Sequence, residues 1–251
     1  MKVKDKVVVI TGGASGIGTA SAKLFGTHGA KVVVSDLILE SAQRIADEIE
    51  NEGGEAIALA ANVANHEEVK NLIAQVVGRF GRIDVLVNNA GIGPSQMMRT
   101  AESTLEDWDR VIAVNQSGVF YGMKYALQQM MVQEGGNIVN VASLAGLKAS
   151  SHNISYAASK FAVVGMTKSA ALEYAKKNIR INAVCPSYTH SKLLDQLFSF
   201  KEGMDELLLS HVPMGRFGEA SEIAETIVWL ASENTTYITG QTITVDGGTS
   251  L

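Results

Sequence analysis

The chain has 251 residues, 46% hydrophobic and 19% charged, which is enough apolar material for one sizeable core, and no linker or repeat divides it. A net charge of −5 with dispersed Lys and Arg argues against a nucleic-acid partner, and no apolar run reaches the roughly 18 residues of a membrane span. One cysteine, Cys185, excludes an internal disulfide, so the expectation is a soluble cytoplasmic protein without a signal peptide or membrane partner.

In chain order, short β-branched runs alternate with longer helical patterns. Strands are predicted over 7–10, 31–34, 56–59, 83–87, 137–141, 179–184 and 242–245, and helices near 16–28, 39–52, 66–80, 104–131, 153–176 and 219–231. The strands are almost continuously apolar, as they must be when both sheet faces are covered. This pattern predicts a single α/β domain over 1–251, a doubly wound parallel sheet of about seven strands with helices on both faces. Ligands of such a sheet bind beyond the carboxyl ends of its strands, so function is expected there.

The first strand end carries Thr11-Gly12-Gly13-Ala14-Ser15-Gly16-Ile17-Gly18. Between a strand and a helix, these glycines allow a tight turn and close approach to a pyrophosphate, whose charge suits the exposed N–H groups of the helix start. The second strand ends in Asp36, whose carboxylate suits the ribose hydroxyls of an adenosine and repels a 2′-phosphate. None of Ala14, Ser15 and Leu37 supplies a cation to hold that phosphate, so NAD(H) is expected over NADP(H). The third and fourth strands end in Asn62-Val63 and in Asn88-Asn89-Ala90-Gly91, which offer amide and backbone groups to the same ligand.

After the fifth strand come Ser143 and, thirteen residues later, Tyr156 and Lys160. Four residues apart on a helix, the phenol and the ammonium lie on one face, where a cation favours the phenolate and lowers its pKa from about 10. Such pairs also occur on solvated helix faces, but here a strand-end hydroxyl faces the phenol, as polarising a carbonyl or binding an alkoxide requires. Beyond the sixth strand, 187–212 contains Leu193, Leu194, Leu197, Phe198, Met204, Leu207 and Leu208 at helical spacing, which predicts two short helices forming a substrate lid. The other substrate loops are expected at 93–98 and 144–153. Leu144, His152 and Tyr188 are the candidate substrate neighbours, and an apolar lid favours a hydrophobic ketone or secondary alcohol. The five histidines show no metal-ligand spacing, so no metal is expected.

Taken together, Thr11-Gly12 with Gly16 and Gly18, Asn88-Asn89-Ala90-Gly91, Asn115, Ser143, Tyr156 with Lys160, Pro186 and Val245-Asp246-Gly247-Gly248 resemble the short-chain dehydrogenase/reductase family over nearly the whole chain. The resemblance implies a Rossmann-type fold and a catalytic tetrad. In it Tyr156 is the general acid/base, Ser143 orients the substrate oxygen, Lys160 holds the nicotinamide ribose and lowers the Tyr156 pKa, and Asn115 supports a proton-relay water. Pro186, Thr189 and Ser191 would flank the nicotinamide. The four-residue interval from Tyr156 to Lys160 is unlike that of the enoyl reductases of this superfamily and favours carbonyl or alcohol chemistry. Alternatives are a 3-oxoacyl thioester reductase, a sugar (glucose 1-) dehydrogenase, and a non-catalytic dinucleotide sensor. The sequence departs from the family pattern at Asn62 (usually aspartate), Ser187 (usually glycine), Thr189 and Ser191. By resemblance, the helices at 104–131 and 153–176 and the segment Ile238 to Leu251 correspond to assembly surfaces, implying a homotetramer, with a dimer as second choice.

Overall fold

The computed structural model describes all 251 residues. The β-branched runs form seven strands, β1 (Val7–Thr11), β2 (Lys31–Asp36), β3 (Glu55–Ala60), β4 (Val85–Asn88), β5 (Gly136–Val141), β6 (Ile179–Pro186) and β7 (Thr242–Val245). Between β1 and β4 run α1 (Gly16–Thr27), α2 (Leu39–Asn51) and α3 (His66–Phe80). Between β4 and β6 run α4 (Leu105–Ile112), α5 (Gly118–Val132) and α6 (Ile154–Tyr174), and between β6 and β7 run α7 (Lys192–Ser199), α8 (Met204–Ser210) and α9 (Ala220–Ala231). All strand pairs are parallel, in the order β3-β2-β1-β4-β5-β6-β7.

Strand alternation divides the core in two. Val7 and Val9 of β1 join Leu72 of α3, Met123 of α5 and Val163 of α6 on one face. Val8 and Ile10 join Phe25 of α1, Ile45 of α2 and Ile227 of α9 on the other. With helices buried against both faces, a ligand is left the strand ends, and sheets of this kind bind at the carboxyl ends.

The expected helix over 104–131 is interrupted. Residues Ala113–Ser117 form a π-helical turn between α4 and α5. Five residues of regular α-helix overshoot one turn by about 140°. In the wider turn Asn115 instead reaches Ile92 while Arg110, five residues earlier, reaches the adjacent Gly93. A second polar device ties the sheet to α6. Asn88 donates to Asn140 at 2.8 Å, and Asn140 donates to Thr167 at 2.9 Å, so buried amides on β4 and β5 are satisfied across the layer.

Candidate active site

The strand order reverses between β1 and β4, and their two end loops touch there. Gly12 has φ +63°, and a Cβ on it would lie 2.8 Å from Ala90 Cα. A Cβ on Gly18 would overlap the Gly12 carbonyl oxygen and lie 2.6 Å from Asn89 Nδ2. Asn89 donates to the Thr11 and Gly12 carbonyls at 3.0 and 2.9 Å, and the Thr11 hydroxyl accepts from the Asn89 and Ala90 N–H groups. The Asn89 NH2 therefore holds the two loops together and the Asn88 NH2 is spent on Asn140 of β5, so neither amide N–H is turned to a ligand, which corrects the expectation of their amide groups.

At the start of α1, Ser15 makes no side-chain cap and the first turn carries no acidic residue, so the N–H groups beginning at Gly16 and Ile17 are left for an anion. Asp36 accepts from Ala14 N at 3.0 Å and from Leu37 N at 2.8 Å, which places a half-buried carboxylate against the glycine loop. Asn62 Oδ1 accepts from Ala64 N at 3.0 Å, and Val63 packs against Gly118, folding this turn in toward the β4 side. At the other end Pro186 closes β6, and the Ser187 hydroxyl that follows is buried without a hydrogen-bond partner. A glycine cradle, an uncapped helix start and an orphaned hydroxyl at the far strand end fit an extended dinucleotide.

The reactive groups gather beyond β5 and on the first turns of α6. Ser143 begins the turn after β5, where its Oγ accepts from Ala145 N at 3.1 Å. Gly146 is packed so closely on the Lys160 backbone that a Cβ there would lie 2.6 Å from the Lys160 carbonyl oxygen. This contact brings the Ser143 turn onto α6. Lys160 is 3% exposed, donates to the Val141 carbonyl at 2.9 Å, and lies 5.6 Å from the Tyr156 ring centroid. Burial pushes the Tyr156 phenol above its ordinary pKa, with the Ser143 hydroxyl pulling the other way. The expected lowering by Lys160 is therefore corrected: burial brings the ammonium itself down to about 8.

Asn115 is fully buried. Its Oδ1 accepts from Ile92 N at 2.8 Å and its Nδ2 donates to Ile92 O at 2.9 Å and to Ser159 Oγ at 3.3 Å. With both amide N–H groups engaged, the side chain brackets the loop after β4 to α6. Ser159, which sequence reasoning passed over, completes the bracket by donating to the Tyr156 carbonyl at 2.7 Å.

Two short helices, α7 and α8, form where the apolar spacing of 187–212 predicted them. Ser191 caps α7 by accepting from Leu194 N at 3.3 Å, and it faces Gly16 across the cleft. Thr189 is buried, donating to the Ser187 carbonyl at 3.2 Å. Tyr188 packs edge-on against Phe217, which also meets Phe198 of α7 at a ring separation of 5.5 Å. Leu144 continues the Ser143 turn. His152 is exposed, with φ +59°, and lies beside the loop after β4, its carbonyl accepting from Met98 N at 3.0 Å. No three His, Cys, Asp or Glu side chains are grouped to hold a metal, and no helix is long and apolar enough to cross a membrane.

The depressed Lys160 pKa has a consequence for stability. Between about 8 and the ordinary lysine value near 10.4 the unfolded chain binds more protons, so the cost of burying this ammonium is full below pH 8 and fades as pH rises. Lys160→Met is expected to be at least as stable as the parent at pH 7. In urea denaturation the parent should gain on the variant by on the order of 2 kcal/mol between pH 7 and pH 10. A pH-independent gap would show that Lys160 does not carry this penalty.

Known proteins share this arrangement along the whole chain. A family model described as enoyl-(acyl carrier protein) reductase matches residues 12–250. The chain is 42% identical over 248 residues to a 3-oxoacyl-[acyl-carrier-protein] reductase of Thermotoga maritima, covering 99% of each. It is 43% identical over 246 residues to a cyclohexanol dehydrogenase of Acinetobacter sp., covering 98% of this chain and 95% of that one. The crystal structure of levodione reductase superposes with a TM-score of 0.95 at 32% identity over 99% of both chains.

Proposed function

Because this chain belongs to the short-chain dehydrogenase/reductase family and is an oxidoreductase of that kind, we propose that it transfers a hydride between NAD(H) and a hydrophobic ketone or its secondary alcohol. The observation that carries this reading is the meeting of Ser143, Tyr156 and Lys160 at the end of β5, with Asn115 bracketing the loop beside them. The nicotinamide, when bound, supplies or accepts the hydride. The chain's own residues handle the oxygen. In reduction Tyr156 gives its phenolic proton to the carbonyl oxygen as negative charge develops there, and Ser143 donates a hydrogen bond to the same atom. In oxidation Tyr156 takes the proton back. Gly12, Ser15, Gly16, Ile17 and Gly18 would hold the pyrophosphate, Asp36 the adenosine ribose, Asn62 and Val63 the adenine, and Lys160 the nicotinamide ribose. Ala90, Gly91, Pro186, Thr189 and Ser191 would line the nicotinamide half.

The hydrophobic substrate is supported by the apolar lid and its aromatic packing around Phe217, and by the cyclohexanol dehydrogenase relative. The Thermotoga relative favours a second reading, reduction of a 3-oxoacyl thioester. For assembly we propose a cytoplasmic homotetramer. Supporting it, Phe120 on α5 and Phe161 and Leu172 on α6 stand 49%, 48% and 84% exposed, more apolar surface than a lone subunit usually presents.

The test is oxidation of NADH and of NADPH, followed by absorbance, with cyclic ketones, aryl ketones and a 3-oxoacyl ester. NADH is expected to be preferred by a factor of roughly 10 to 100, from the Asp36 charge and the ribose hydrogen bonds it makes. Preference for NADPH with the oxoacyl ester would replace the first reading with the second. A failure to turn over any carbonyl, with NADH bound, would remove both.

A further inference from the structure

Four consecutive residues after β4 are each held by a side chain from elsewhere. Asn115 holds Ile92, Arg110 Nη2 donates to Gly93 O at 2.9 Å, Gln196 Nε2 donates to Pro94 O at 3.0 Å, and Asp107 Oδ1 accepts from Ser95 N at 2.8 Å. Asp107 and Arg110 are themselves paired at 2.7 Å on successive turns of α4. Gln196 lies on α7, and the same helix sets Leu193 against Gly93, where a Cβ would come within 2.6 Å of Leu193 Cδ1. The lid is therefore seated on this loop through one hydrogen bond and one close apolar contact.

We propose that the Asp107–Arg110 pair is a positioning clamp: it fixes the Gly93–Ser95 loop from behind and, through Gln196 and Leu193, fixes lid helix α7 in front, setting both walls of the substrate space together. The inference rests on the reading of this loop and the lid as substrate-facing. It extends that reading by assigning a role to two α4 residues outside the reacting group. Neither touches substrate; they act through the loop. The clamp is well suited to hold its charge state. Although burial works against it, the hydrogen bonds from Arg110 and Ser95 hold the Asp107 carboxyl below its ordinary range. Arg110 also places two directed donors where a lysine has only a mobile point charge.

The experiment compares the parent, Arg110→Met, Arg110→Lys and Gln196→Ala as intact proteins, by hydrogen exchange without substrate and by steady-state kinetics on a turned-over ketone. In Arg110→Met, exchange is expected to rise at least about threefold in both 93–98 and 192–199, with α5 and β5 unchanged. The ketone KM is expected to rise roughly tenfold while the NADH KM stays within about twofold. Arg110→Lys should recover part of both effects. Gln196→Ala should loosen 192–199 while leaving 93–95 held by α4. Unchanged exchange in 192–199 of Arg110→Met would overturn the link between clamp and lid. Loosened segments with an unchanged ketone KM would overturn the assignment to substrate positioning. If the parent turned over no carbonyl, the proposed activity would fail on its own, and the exchange comparison would still decide the clamp.

Discussion

Tyr156→Phe is expected to lower kcat by roughly 1,000-fold or more while NADH binding stays within about twofold of the parent. The phenol oxygen is the only group the site offers as a proton donor to the substrate oxygen. The neighbouring Ser143 hydroxyl would lose a proton far less readily, and Lys160 is turned to the Val141 carbonyl. The ring itself remains, so the contact between Tyr156 and the rest of α6 is preserved and folding should not change. At neutral pH the phenol is uncharged, so the variant neither relieves nor leaves a buried charge and should melt close to the parent. Stopped-flow binding of NADH with steady-state turnover on the same preparation separates the two effects. Turnover within tenfold of the parent would take Tyr156 out of the mechanism.

Gly18→Ala is expected to cost both the fold and the cofactor site. The added methyl would overlap the Gly12 carbonyl and press on the Asn89 amide, two parts of the same staple across β1 and β4. Backbone on one side and a doubly bonded amide on the other leave no cheap direction of retreat. A destabilisation of about 2–4 kcal/mol follows from overpacking together with a broken buried hydrogen bond. Gly78→Ala is the control, because open space surrounds that glycine and helix propensity favours alanine there. Urea denaturation of the pair should separate them by the full difference, and NADH titration should show weakened binding only in Gly18→Ala. Equal stabilities would mean that the β1 and β4 loops yield more readily than their hydrogen bonds imply.

The sheet was legible because its strands are buried on both faces and so read as unbroken β-branched runs; each of the seven formed within a few residues of its predicted place. The short helices α7 and α8 were legible for a different reason. Leu193, Leu194, Leu197 and Phe198 repeat at helical spacing, although only Leu194 is fully enclosed. The π turn was not legible. Apolar positions on either side of Ala113–Ser117 keep helical spacing, and nothing local marks the extra residue. Asp107 and Arg110 drew no reading from the sequence, since their use depends on a loop that meets them only in the folded chain. The charge behaviour of Tyr156 and Lys160 was misjudged because spacing gives proximity but not burial, and burial dominates both groups.

The π turn also sets the angular phase between two stretches of what would otherwise be one rod. α5 must present Val119, Met123, Ala126 and Met130 to the sheet, whereas α4 must present Asp107 and Arg110 to the loop. An uninterrupted helix would impose a single rotation on both tasks. The additional residue uncouples them, so the outer segment can be turned or rewritten for a different ligand while the inner one keeps its seat in the core.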